Sequence, residues 1–269
     1  MAEALRKYYS GSFALYEDYK QMLAEVECDL VMVDGPFHQH AEMCVECLKY
    51  NRHVFCEKPI ALTLEDLEKI EIAYDNAAPG TRISSMVGLR TEPAFHAAYR
   101  AVSSGAIGKV QMINTRKSYK LGQRRDFFKK RETYGGTIPW VGSHALDWIL
   151  WFSGSGFETV SAFHTDAENR DHGDLEMTCA VMCRMENGVI GTASIDYWRP
   201  RPPPPMVTIR FVSPEPMALL RWHTANARLS TLPVSERSDL LPTGGSSMTL
   251  SGAFLTVRRG SFLQKRPLN

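Results

Sequence analysis

The sequence predicts an α/β fold: a parallel-sheet domain followed by a mainly antiparallel α+β sheet domain. Three observations carry this. Between residues 29 and 88, short apolar runs alternate with amphipathic helical patterns, the rhythm of βαβ units on a parallel sheet. Beyond Gly105 the candidate strands lengthen, and two of them meet at Asn187-Gly188, a dipeptide that favours a tight hairpin. Finally, no cluster of glycines precedes the first apolar run, so the glycine-rich turn that opens a complete dinucleotide-binding sheet is missing from the sequence.

The elements follow in order. DLVMVD, residues 29 to 34, reads as a buried parallel strand. A helical pattern runs from His38 to Tyr50, and HVFCEKP, 53 to 59, reads as a strand stopped by proline. Thr63 is placed to cap the next helix, although Asp66 stands where a capping box prefers Glu or Gln. Leu64, Leu67, Ile70, Ile72 and Ala73 give that helix an apolar stripe to about residue 77. RISSMVG is the next strand, and residues 92 to 104 form a helix closed by Gly105. KVQMINTRKSYK, 109 to 120, is a long strand, followed by an arginine-rich loop to Tyr134. A helix with an aromatic stripe covers 139 to 152, and FETVSAFHT, DLEMTCAVMCRM and VIGTASIDYW are strands.

Composition narrows the partners. Apolar residues make up 44% of the chain, charged residues 23%, and the net charge is +1. Near-neutrality argues against nucleic acid or an anionic membrane as the main partner. No apolar run reaches the roughly 18 residues of a membrane span, and the N-terminus lacks the apolar stretch of a secretory signal. A cytoplasmic protein with small-molecule partners, and with self-association through its sheet domain, is the expectation. The six cysteines fit that setting as reduced packing residues. Cys44 and Cys47 form a C-x-x-C inside a helical pattern; His38 and His40 nearby keep zinc open as an alternative, but a second ligand pair at matching spacing is absent and no metal is expected.

After Pro200 the sequence changes character. Residues 201 to 269 hold nine of the fifteen prolines, with nine basic residues against three acidic ones. That is +6, which leaves −5 for the first 200 residues. Only MVTIRFV and GAFLTVRRGSFL read as strands there. A native proline-rich extension and a replaced sequence both fit. The expected organisation is therefore 1–90 as a partial dinucleotide-binding domain, 91–200 as a sheet domain for substrate and dimerisation, and 201–269 as an atypical Pro/Arg-rich tail.

Two residues have a chemical case of their own. Lys58, at the end of a parallel strand, points into the crevice where α/β sheets bind ligands. There its ammonium can stabilise the alkoxide formed as a hydroxyl loses hydride; the bland alternative is a surface lysine. His144 is a candidate general base, because imidazole titrates near working pH; the alternative is a packing histidine. Asp147, three residues on, shares its helical face and could orient the site.

The stretch GPFHQHAEMCVECLKYNRHVFCEKPIALTLEDLEKI, 35 to 70, resembles the glucose–fructose oxidoreductase, inositol dehydrogenase and rhizopine-catabolism family, Gfo/Idh/MocA. Its turn Gly35-Pro36-Phe37-His38-Gln39-His40 stands for the family's Thr-Pro-Asn-x-x-His, with Gly35 and Phe37 as departures. NRHVFCEKP, 51 to 59, is similar to its "GKHVxxEKP" strand. SSGAIGKV and YGGTIPWVGSHALDWILWFSG resemble the family's link into its sheet domain and its Gly-Gly…His-x-x-Asp helix. The resemblance spans residues 3 to 200 and implies a Rossmann-type first domain, here incomplete.

What the resemblance implies is an NAD- or NADP-dependent oxidoreductase of sugars or polyols. Lys58 takes the place of the catalytic lysine, with Pro59 after a constrained, cis-prone bond. His144 and Asp147 complete the catalytic set. Pro36, His40, Glu57 and Lys58 face the cofactor, and Tyr119 and Trp140 the substrate. Trp140 stands where the family often has an aspartate sharing the base's work. The segment ALRKYYSGSFALYEDYKQML resembles the helix after the family's second strand, so roughly one βαβ unit is expected to be missing and dinucleotide binding by this chain to be weak. A catalytically inactive binding or scaffold protein is the competing expectation.

Overall fold

The computed structural model describes residues 14–199 and the strands Val207–Val212, Ala218–His223 and Asn226–Thr231. The expected strand over 252–263 and the first thirteen residues lie outside the described residues.

Alternation of short apolar runs and helices builds the first lobe as predicted. Its elements are α1 (Tyr19–Glu25), β1 (Leu30–Val33), α2 (His40–Lys49), β2 (His53–Cys56), α3 (Leu64–Asn76) and β3 (Ile83–Ser85). The three strands are parallel in the order β1-β2-β3, with Val31 beside Val54 and Val54 beside Ile83. Thr63 caps α3 as expected, its Oγ1 accepting the Asp66 N–H at 3.1 Å. Cys44, Cys47, Leu48, Val54, Cys56 and Ile70 close one core between the helices and the sheet. Burial pushes the Cys47 thiol up to about 12, so it is an inert packing group.

Two expectations for this lobe are corrected. Of the helical segment expected over residues 4–23, the described part becomes helical only at Tyr19, where the Asp18 side chain accepts the Lys20 N–H at 2.8 Å. β1 is also not buried on both faces. Only Val33 is sealed, while Met32, on the opposite face of the strand, is 69% exposed.

The second lobe contains α4 (Pro93–Ser103), β4 (Met112–Ser118), α5 (Arg131–Tyr134), α6 (Ser143–Ser153), β5 (Phe157–Thr165), β6 (Thr178–Met185) and β7 (Ile190–Asp196), followed by β8 (Val207–Val212), β9 (Ala218–His223) and β10 (Asn226–Thr231). The sheet order is β10-β9-β8-β4-β7-β6-β5. All neighbours are antiparallel except β4 and β7. The Asn187-Gly188 hairpin joins β6 to β7, with Gly188 at φ 86°. The sheet continues past Pro200: β8 pairs with β4, Met112 opposite Val212. β9 and β10 extend it further, and neither stood out in the sequence.

One sheet face carries the core. β6 alternates exposed and buried residues along its length, with Cys179, Val181, Cys183 and Met185 turned inward. α6 lies on that face at close range. A Cβ on Gly191 would come within 2.6 Å of Cys183 Sγ and 2.7 Å of Ile149 Cγ2, so the helix can approach only where β7 has no side chain.

Candidate active site

β2 ends at Cys56, and the chain turns away through Glu57, Lys58 and a cis Lys58–Pro59 bond. Two contacts fix this turn. The Glu57 N–H donates to Val33 O at 2.8 Å, and the Glu57 carboxylate accepts the Lys58 N–H at 2.9 Å. His40 braces it from below. Its Nδ1 lies 2.8 Å from Pro59 O and its Nε2 2.9 Å from Gly35 O, tying the Gly35-Pro36 turn to the Glu57–Pro59 turn. The ring is fully buried, with a backbone carbonyl oxygen beside each nitrogen. His40 thus stands beneath the two turns, against Gly35 O and Pro59 O. Pro36 is exposed beside it, at the carboxyl end of the sheet.

Lys58 reaches from this turn into the second lobe. Its Nζ donates to Trp140 O at 2.7 Å. The acceptor is available because Ile138–Gly142 is a π-helical turn, in which backbone carbonyls leave the regular ladder. The helix predicted from residue 139 thus opens with a π turn, and α6 proper begins at Ser143. Lys58 Nζ also lies 4.6 Å from the centre of the Trp140 ring and 5.8 Å from that of Tyr119. Burial leads the effects that push its ammonium down to about 7; Lys117 and Arg124 add to the fall, and Glu57 opposes it.

His144 follows Trp140 by one helical turn and is buried. Its ring lies 6.5 Å from that of Trp148, and Nδ1 has no hydrogen-bond partner. Burial and the charges on Lys117 and Lys58 push its pKa down to about 3. Burial and the two neighbouring lysines thus favour the neutral imidazole over the charged form.

Asp147 is paired with Arg90. Arg90 clamps it, with Nε donating to Oδ2 at 2.8 Å and a second bond from Nη2 to Oδ1. No hydrogen bond joins it to His144; its carboxylate is taken up by Arg90. The outcome follows from helix geometry: Asp147 shares the broad face of His144, but the segment Gly88–Thr91 reaches it first.

Tyr119 and Trp140 meet edge to face, with ring centres 5.3 Å apart, and Phe37, Phe128, Tyr134 and Tyr197 surround Trp140. Arg124 lies 5.0 Å above the Trp140 ring.

Sequence reasoning missed Lys117. It is 2% exposed, with Nζ 5.3 Å from the centre of the Tyr119 ring and 5.7 Å from that of Trp148. Burial, then Arg199, push it down to about 8. The signal was present: alternation along β4 puts Lys117 on the same face as Ile113 and Thr115. Among the described residues no three His, Cys, Asp or Glu side chains converge as a metal site, and no helix is long and apolar enough to cross a membrane.

Comparison with known proteins gives this geometry a family. Residues 1–77 match the oxidoreductase family with an NAD-binding Rossmann fold, and 95–211 match the GFO/IDH/MocA C-terminal domain. Myo-inositol 2-dehydrogenase of Thermotoga maritima is 25% identical over 179 residues, 65% of this chain and 52% of that protein. A Rhizobium meliloti oxidoreductase is 34% identical over 98 residues, 36% of this chain and 29% of the relative. The chain thus spans about half or less of the curated relatives it matches. A solved Thermotoga maritima protein classed as an oxidoreductase is 40% identical, with a TM-score of 0.73 over 82% of this chain and 70% of that one. The chain belongs to the Gfo/Idh/MocA oxidoreductase family.

Proposed function

We propose that this protein oxidises a secondary hydroxyl of a sugar or polyol, with NAD or NADP as partner in the reaction. The observation that carries the reading is the placement of Lys58. It stands at the mouth of a parallel sheet, held by a braced turn, with its amine in a buried aromatic chamber shared with His144.

The chain fits the nicotinamide end of a dinucleotide. The exposed Pro36 turn and the Glu57–Lys58 turn lie side by side at the carboxyl ends of β1 and β2, where such sheets bind ligands. A bound nicotinamide dinucleotide supplies the hydride acceptor. Lys58 does the rest of the work at the hydroxyl. With its pKa near 7, a large fraction of the amine is neutral near neutrality, and it takes the hydroxyl proton as the carbinol C–H bond breaks and a carbonyl forms. The resulting ammonium stabilises the oxygen as charge develops. His144, held neutral, orients the hydroxyl by hydrogen bonding. Tyr119 and Trp140 wall the substrate and exclude water.

Binding of the dinucleotide by this chain is weak in this reading. Affinity rests largely on a glycine turn whose N–H groups meet the pyrophosphate, and Gly11 is the one glycine between Met1 and Asp34. Titration of NADH and NADPH into the purified chain tests this. A dissociation constant in the low micromolar range, about −8 kcal/mol, would show that the glycine turn is dispensable. The alternative reading, an inactive binding protein, is favoured by Trp140 at the position where the family often has an acid. Single-turnover assays with NAD and a panel of polyols discriminate: reduced cofactor forms under the first reading and not under the second.

A further inference from the structure

The chamber around Lys58 has an excess of positive charge that the oxidation of a neutral polyol does not use. Lys117 is 2% exposed and has no hydrogen-bond or acidic partner among the described residues. Lys58 and Lys117 both lie within cation–π range of the single Tyr119 ring, at 5.8 and 5.3 Å. Arg124 stands over Trp140 and Arg199 acts on Lys117 through space.

The buried acids nearby are committed elsewhere. Asp147 is held by Arg90. Asp196 accepts from Arg116, from the Ser118 hydroxyl and from the Trp198 N–H. Glu176 accepts from Arg131 and from the Thr137 N–H. The half-buried Glu57 caps the Lys58 N–H. Trp148, whose ring centre lies 5.7 Å from Lys117 Nζ, and His144 carry buried nitrogens without partners, Nε1 and Nδ1. The indole N–H can only donate, and the ammonium can only donate. Two buried donors, one of them cationic, beside an uncommitted imidazole call for an oxygen acceptor carrying negative charge. A sugar hydroxyl would accept these bonds but leave the charge uncompensated. A carboxylate accepts only, through two oxygens, and neutralises the ammonium.

We propose that the substrate of this site is a carboxylated sugar or polyol, an aldonate or uronate, whose carboxylate is received by Lys117 and the Trp148 indole N–H while its reacting hydroxyl lies at Lys58. The inference rests on the reading of Lys58 as the hydroxyl-binding group. It also gives Trp140 a reason: a second acid in this chamber would repel the ligand's own carboxylate, and an aromatic wall does not.

The test is calorimetric titration of the full chain, with NADH present in excess, using D-gluconate and D-glucuronate against D-glucitol, D-glucose and myo-inositol. The carboxylates are expected to bind about tenfold or more tightly than the neutral compounds. K117M should abolish that preference, K117R should retain most of it, and W148F should reduce it. Neutral compounds binding as tightly as the acids, or a preference that survives K117M, overturns the carboxylate assignment while leaving the hydroxyl site intact. Tighter binding of D-glucose 6-phosphate than of D-gluconate overturns it in favour of a phosphate site. Carboxylate binding unaffected by K58M breaks the reading of Lys58 instead, and absence of binding by every compound overturns both. Should K117M fold poorly, the order of affinities in the unmodified chain still decides.

Discussion

The Nζ of Lys58 donates to the backbone carbonyl of Trp140 at 2.7 Å, across the junction of the two lobes. The bond joins the turn after β2 to a π-helical turn ahead of α6, so the lysine is aimed from one lobe and held from the other. Its donor capacity is not exhausted: an ammonium has three hydrogens and a neutral amine two. A substrate hydroxyl can share the group without breaking the bond. Replacement of Lys58 by methionine should lower turnover between about a hundredfold and ten-thousandfold, the usual range for a positioned acid–base group. Thermal unfolding should change little or rise slightly. A variant that retains turnover within a few-fold would remove Lys58 from the chemistry.

The two depressed lysines make a prediction about stability. Lys58 and Lys117 fall from their ordinary 10.5 to about 7 and about 8. Between these values and 10.5 the unfolded chain binds more protons than the folded one, so stability rises with pH across that window. Below about pH 7 the full penalty of burying two ammonium groups is present and the slope vanishes. K117M removes one buried charge and should stabilise the protein at neutral pH by roughly 1–2 kcal/mol, several degrees in Tm. Urea unfolding at about pH 7 and about pH 9.5 should show a smaller difference for the variant than for the unmodified chain. An identical difference in both would mean that Lys117 is solvated and charged.

The Arg90–Asp147 pair should behave as structure and not as catalysis. Both side chains are largely buried, at 18% and 11% exposure. R90A leaves an unpaired carboxylate beside Trp151 and should cost about 3–5 kcal/mol, whereas a double replacement by apolar residues should recover much of the loss. In single-turnover assays the pH profile should keep its shape in D147N once the protein is folded. A shifted profile would return Asp147 to the proton pathway.

The framework of the fold was legible because it rests on local patterns. Val33, Val54 and Ile83 lie in apolar runs of strand length, Thr63 is a cap that reads from sequence, and Asn187-Gly188 marks a hairpin without reference to the rest of the chain. Lys58 was legible for the same reason, through the proline that follows it and the strand that precedes it. The partners of each side chain were not. Helical spacing puts Asp147 on the same broad face as His144, but nothing local says that Arg90, 57 residues earlier, will claim it. His40 looked like a surface ligand because its two carbonyl partners, Gly35 and Pro59, belong to turns whose approach is tertiary. Lys117 was overlooked because a lysine on a strand is usually solvated; its burial depends on α6 crossing β4, a contact between segments far apart in the chain.

The outer face of the large sheet yields the last prediction. Cross-strand register puts Ser161 opposite Met182, so Phe163, two residues along β5, shares the outward face with Met182. Phe163 is 78% and Met182 59% exposed, on neighbouring strands with no layer of described residues over them. An aromatic and a flexible apolar side chain side by side on an open face mark a surface that gains from being covered. A second copy can do so with the same patch on both partners, as twofold symmetry requires. Sedimentation velocity should therefore show a reversible dimer at micromolar concentration. The double variant F163E/M182E places like charges on both sides of that contact and should give a monomer with unchanged far-ultraviolet circular dichroism. A chain that sediments as a monomer at every concentration, or a dimer that tolerates both glutamates, would place the association surface elsewhere or remove it.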